Sequence, residues 1–231
     1  DDDDDDDDDD KPNEGQGEET VKVLSPYLNS RDPDGNTPLH LCLLRGHTAQ
    51  LTTLLSVGPD LSVSKRCDGS MPVHVLCFLC NAPALEGKAL EMADILNTHP
   101  ETDWTVRDAD GRTPLWLAAE SGVKSMVEKV ASFLESRHPG SLPSHLNSKG
   151  SRTSLLPLHA AVKSRSLPAA EYLLSLGADP TAVDDYGNTP LHFARTWPEG
   201  HNLLTSTAGS SGEGSAPAPS SSSSPGGGAE L

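Results

Sequence analysis

Apolar residues along this chain recur in short clusters set off by turn residues. In 38–47 ("PLHLCLLRGH") Leu39, Leu41, Cys42 and Leu43 crowd one short stretch that Gly46 closes. That pattern predicts a short helix packed closely against neighbours. Leu51, Leu54 and Leu55 then recur at helical spacing and predict a second, amphipathic helix. Farther on, Ala160 and Ala161 open a similar pair, with Ala170, Leu173 and Leu174 on its second helix. "LGAD" at 176–179 closes that helix. Each unit is a helical hairpin plus a turn, and none buries its apolar face alone, so stacking is required.

One phrase punctuates the units. "DGNTPLH" at 34–40 returns as "YGNTPLH" at 186–192, with weaker echoes "DGSMPVH" (68–74), "DGRTPLW" (110–116) and "LLPLHAA" (155–161). Its parts have local reasons. Gly35 and Gly187 stand where a tight turn calls for positive φ. Thr37 and Thr189 are placed to cap a helix N-terminus, and Pro38 and Pro190 to begin it, where a missing N–H costs nothing. The phrase prolines, Pro38, Pro72, Pro114, Pro157 and Pro190, are spaced 34, 42, 43 and 33 apart.

A period near 33 residues with a T-P-L-H pattern resembles the ankyrin repeat family. "GNTPLHLCLLRGH" (35–47) and "SLPAAEYLLSLGADPTAVDDYGNTPLHFA" (166–194) carry the resemblance most clearly. It implies an all-α solenoid of helix-turn-helix units with β-turn fingers over residues 32–204, in about five repeats. Copy two gains residues around "NAPALEG" (81–87). Copy three gains a longer second helix at 124–137 and an enlarged finger at 138–156. Copy four has Arg165-Ser166 in place of the Gly-His pair. Copy five breaks at Trp197-Pro198, and "EGHNLL" is too short for a full second helix. Residues 21–31 resemble a truncated earlier unit serving as an N-terminal cap.

Composition marks off the ends. Residues 1–10 are all Asp, and 1–20 read as a disordered acidic tail. Residues 205–231, rich in Ser, Gly and Pro, read as a second disordered tail. Of the net charge of −17, the ten leading Asp supply −10 and leave −7 on the other 221 residues. An acidic body disfavours nucleic acid, which needs clustered Lys and Arg, and the Asp run favours basic partners. "DDDDK" (7–11) resembles an enteropeptidase sequence, but Pro12 follows the Lys. No apolar run reaches the length of about 18 residues that spans a bilayer, so direct membrane insertion is not expected. Four Cys in 231 residues make no disulfide framework, which points to an intracellular setting, cytoplasmic or nuclear. The chain opens on Asp, so a fragment of a longer protein is one expectation; oligomeric state stays open.

The repeated His and Asp raise the question of chemistry. His40, His74, His159 and His192 share one repeat position, and Trp116 fills it in copy three, which no metal site would tolerate. The histidines therefore read as braces for the turn. "DPDGN" (32–36) and "DADGR" (108–112) put Gly fourth, not sixth, and lack the Glu of a calcium loop. A sharper alternative is a structural zinc site at Cys67, His74, Cys77 and Cys80, since C-x2-C is a ligand spacing. No P-loop, G-x-S-x-G, G-x-G-x-x-G or H-E-x-x-H occurs, so neither an enzyme nor a cofactor is expected in 21–204.

The resemblance implies a scaffold or adaptor that binds another protein through finger tips and the exposed side of the inner helices. Carried over by position, that surface comprises Asp34, Asn36, Leu44 and Arg45 in copy one and Asp68, Ser70, Phe78 and Leu79 in copy two. It continues with Asp110, Arg112, Glu120 and Ser121 in copy three, Lys163 and Ser164 in copy four, and Tyr186, Asn188, Thr196 and Trp197 in copy five. Phe78, Tyr186 and Trp197 are the aromatic anchors. A regulatory or substrate-recruiting segment of a larger enzyme is the other reading.

Overall fold

The computed structural model describes residues 27–64, 68–150 and 154–210. Five inner helices each begin at a phrase proline: α1 (Pro38–Leu44), α3 (Pro72–Leu79), α5 (Pro114–Ser121), α8 (Pro157–Lys163) and α10 (Pro190–Phe193). Four outer helices pair with the first four: α2 (Thr48–Ser56), α4 (Glu86–Thr98), α6 (Lys124–Arg137) and α9 (Leu167–Ser175). A short α7 (Leu142–Leu146) lies in the third finger, and α11 (Pro198–Ser210) follows α10 after one 3₁₀ turn. Inner helices contact in the order α1, α3, α5, α8, α10, and outer ones in the order α2, α4, α6, α9, α11. The result is the expected all-α solenoid. The acidic run, residues 21–26, Cys67 and the segment 211–231 lie outside the described residues.

The punctuation works as its chemistry dictates. Thr37 and Thr113 cap α1 and α5 by accepting from the His40 and Trp116 backbone N–H. Met71 and Leu156, with no hydroxyl, stand at the same place in copies two and four. Gly122 ends α5 at φ 72°, in the left-handed region that suits glycine. Its room is limited too: a Cβ there would come within 3.1 Å of Ser164 Oγ. In copy four Arg165 holds the corresponding turn at φ 57°, a cost that copies one and three avoid with Gly46 and Gly122. Ser166 offsets part of it, capping α9 at the Ala169 N–H and donating its hydroxyl to the Gly122 carbonyl at 2.6 Å.

One continuous core runs the length of the stack, with Leu39, Leu43, Leu76, Met92, Leu96, Leu115, Met126, Leu134, Leu158 and Leu173 all buried. The insertions join it. Outer helices α4 and α6 have 13 and 14 residues, against 9 in α2 and α9. Phe133, in the extra length of α6, packs on the buried Trp104 with ring centroids 4.9 Å apart. The enlarged finger folds back through α7, whose buried Leu146 helps hold it against α5 and α6.

Copy five differs from expectation. A 13-residue α11 runs through "PEGHNLLTSTAGS", past Thr205, where the sequence placed the start of the tail. Weak helix formers are held there by context. Leu204 is buried, Trp197 lies in the core over Gly200, and Thr205 and Ser206 return their hydroxyls to the His201 and Leu203 carbonyls.

Candidate functional site

His40, His74 and His159 are built into the scaffold by both ring nitrogens, and His192 by its Nδ1. Nδ1 accepts from the backbone N–H three residues back: Thr37 to His40 at 3.3 Å, Met71 to His74 at 3.1 Å, Leu156 to His159 at 3.4 Å and Thr189 to His192 at 3.0 Å. Nε2 then reaches the next finger. It meets the Ser70 carbonyl from His40 at 3.2 Å, that of Arg112 from His74 at 3.2 Å and that of Asn188 from His159 at 3.0 Å. A fixed donor at one nitrogen and a fixed acceptor at the other select the neutral Nε2–H tautomer. Each receiving carbonyl belongs to the residue just before the next helix N-cap. Trp116 keeps that register, its indole N–H donating to the Leu155 carbonyl at 2.8 Å. The indole thus supplies the rung that a histidine supplies elsewhere.

Burial pushes the His74 ring below the usual histidine range, against the upward pull of Asp108. His159 moves the same way, burial outweighing its bond to Asn188 and the nearby Asp184, and so does the burial-lowered His145. Unfolded histidine titrates near 6.5. The stability these rings contribute is therefore present above about pH 6.5 and lost as pH falls through it toward the folded values. The urea midpoint is expected to be lower at about pH 5 than at about pH 7.5. An equal midpoint at both would show that the rings are not held neutral.

For the zinc alternative, the structure describes three of the four residues, and His74 is not a free donor. His74 has both nitrogens engaged. Burial, first of all, pushes the Cys77 thiol well up and that of Cys80 to about 12, so both are neutral thiols in this arrangement. Cys67 lies outside the described residues, and among those described no three His, Cys, Asp or Glu side chains are grouped to hold a metal.

The carried-over surface splits. Phe78 and Tyr186 stand 61 % and 75 % exposed. Asp34, Arg45, Lys163, Ser164 and Thr196 are exposed, and Asn36, Leu44, Asp68, Asp110, Arg112, Glu120, Ser121 and Asn188 are half-buried. Three positions are corrected. Leu79 and Trp197 belong to the core, because each points into the stack. Ser70 is buried beneath the His40 rung, its carbonyl being that rung's acceptor.

What remains is grouped. A groove of about 150 Å³ runs across copies one to three, lined by Leu44, Val75, Phe78 and Leu117 with Asp68 and Arg112 at its finger side. Arg112 is fixed there by Asp108 at 2.7 Å and lies over the Trp116 ring. Sequence reasoning missed Val75 and Leu117; their signal was the repeat position they share with Leu41. From the end of α5 onward the inner surface turns polar, with Glu120, Ser121, Lys163 and Ser164.

Comparison with known proteins agrees with this geometry. The description "Ankyrin repeat" matches residues 34–66 and "Ankyrin repeats (3 copies)" matches 76–184, together more than half of the chain. The chain is 29 % identical to mouse Rabankyrin-5 over 182 residues, covering 78 % of this chain and 13 % of that protein. It is 28 % identical to human NF-kappa-B inhibitor zeta over 220 residues, covering 82 % of this chain and 29 % of that protein. It is 26 % identical to the NAD-dependent deacetylase sir2B of Dictyostelium discoideum over 172 residues, covering 72 % of this chain and 19 % of that protein. The chain spans less than a third of each of these relatives. Among the described residues no helix is long and apolar enough to cross a membrane. A period of one hairpin, fingers locked to the preceding helix by a ladder of ring N–H groups, and matches along most of the stack agree: the chain belongs to the ankyrin repeat family, whose members are in general protein-interaction modules.

Proposed function

We propose that this chain is a non-catalytic protein-binding module that grips a partner segment across copies one to three. The observation that carries this reading is Phe78, a large aromatic 61 % exposed beside the groove floored by Val75 and Leu117. An exposed aromatic next to an apolar depression is the usual make-up of a binding hot spot. Asp68 lines the finger side of the groove, Asp34 and Asp110 hold the same turn position in the neighbouring copies, and the Asp1–Asp10 run adds ten negative charges upstream. The fitting partner therefore offers a bulky apolar residue flanked by Lys or Arg. The buried free thiols Cys42, Cys77 and Cys80 suit a reducing, intracellular compartment. A second reading, a recruiting segment of a larger enzyme, draws on the likeness to the deacetylase.

The test is selection of binding peptides from a displayed library against the whole chain, followed by titration of the best binder. Phe78→Ala is expected to weaken binding at least about tenfold, about 1.4 kcal/mol, with an unchanged helical circular dichroism spectrum. Equal affinity for both proteins would remove Phe78 from the site. Deleting residues 1–10 is expected to slow association with basic peptides at low salt and to matter less at high salt; identical rates would show the run to be a bystander.

A further inference from the structure

The ladder of cross-repeat bonds stops at copy five with its last donor ready. His192 is set like its counterparts, with Nδ1 accepting from the Thr189 N–H at 3.0 Å and 2.9 Å from the Thr189 hydroxyl. Its Nε2 meets no carbonyl among the described residues, and the ring is exposed. Beside it lies a concavity of about 220 Å³ formed with Leu191, Arg195 and His201.

The other end of the stack holds the matching acceptor. In copy five the carbonyl of Asn188, which receives the His159 rung, is set by a turn in which Asp184 accepts from the Asn188 N–H at 2.8 Å and its side-chain amide at 3.1 Å. In copy one Asp32 holds Asn36 the same way, at 2.7 Å and 2.9 Å. Asp32 N–H donates to the Asn36 carbonyl at 3.0 Å, as Asp184 N–H does to that of Asn188 at 3.0 Å. The first finger is thus a copy of the one that already docks on a histidine. Below it, Leu28, Ala49, Thr53, Leu54 and Val57 line an apolar concavity of about 480 Å³ where an outer helix of a preceding repeat would pack. Charge agrees, since Arg195 stands at the last edge and the ten-Asp run lies upstream of the first.

The geometry points to head-to-tail stacking of this chain on a second copy of itself, with His192 Nε2 of one donating to the Asn36 carbonyl of the next. Such an interface joins unlike surfaces, so each added copy leaves one head and one tail for the next, and assembly passes beyond a dimer.

Sedimentation of the full 231-residue chain from micromolar to millimolar concentration tests this. The mass is expected to rise with concentration past that of a dimer. His192→Asp blocks the tail, and Ala49→Arg with Thr53→Arg blocks the head; all three positions are exposed, and circular dichroism checks that the fold is kept. Each blocked protein alone is expected to stay a monomer. Mixed, they are expected to form a dimer and nothing larger, because one free head meets one free tail. Monomeric wild-type protein at every concentration would overturn the proposal. Assembly that survives either block, or a mixture that gives no dimer, would also overturn it.

Discussion

Trp116→Ala is expected to cost the fold about 3–5 kcal/mol, the range for truncating a large buried aromatic. The indole is only 3 % exposed and stands at the junction of α5, α8 and the enlarged finger. Gly150 shows how closely the finger is fitted to it, for a Cβ at 150 would approach the ring to 3.1 Å. Truncation therefore opens a cavity that the finger is poorly placed to fill. It also removes the N–H that ties Leu155 to α5. Trp116→Phe separates the two losses. It keeps most of the packing and deletes the N–H, and because the Leu155 carbonyl retains the Gly150 N–H at 2.8 Å, the expected loss is only about 1 kcal/mol. Urea unfolding of the three proteins measures both steps. If alanine and phenylalanine cost the same, the indole acts through its hydrogen bond, not through its bulk.

That residue shows what one sequence could and could not disclose. The turn, cap and proline of each phrase act within a few residues, so they were legible, and the histidines were rightly read as braces. The far end of each brace was not, because His40 meets a carbonyl 30 residues on and only the stacked register brings them together. By sequence Trp116 looked like a lapse in the pattern, whereas its N–H falls where a histidine Nε2 would. The groove was half legible. Phe78 was found by its position and ring, while Val75 and Leu117 were passed over, since aliphatic residues on a short helix read alike whether they floor a groove or fill a core. Trp197 was misplaced for the opposite reason: position put it on the surface, but α11 draws it inward over Gly200. The length of α11 was hidden because Thr, Ser and Gly carry little helix preference, and packing against α9 decides.

The insertions in copies two and three had no stated purpose in the sequence, and Arg137 supplies one. Outer helix α4 ends at Thr98, leaving carbonyls without helical partners. The lengthened α6 carries Arg137 in its last turn to that end. Its guanidinium donates to the carbonyls of His99 at 2.7 Å and Pro100 at 3.1 Å, to that of Asn97, and to the Asn97 side-chain oxygen at 2.8 Å. The same Asn97 oxygen accepts the Trp104 indole N–H at 3.1 Å, so the cap and the Trp104–Phe133 stack form one unit. A 9-residue helix such as α2 would stop short of this site, so the two long helices require each other. Arg137→Met is accordingly expected to destabilise the chain by about 2–3 kcal/mol, because charge-assisted bonds to several orphaned carbonyls are lost while the aliphatic stem is kept. Arg137→Lys is expected to recover less than half of that loss, since an ammonium cannot span the fork. Hydrogen exchange distinguishes a local effect from a global one, with faster exchange expected at the C-terminal turn of α4 and unchanged protection in α9. Full rescue by lysine would mean that charge alone suffices and that the fork geometry is incidental.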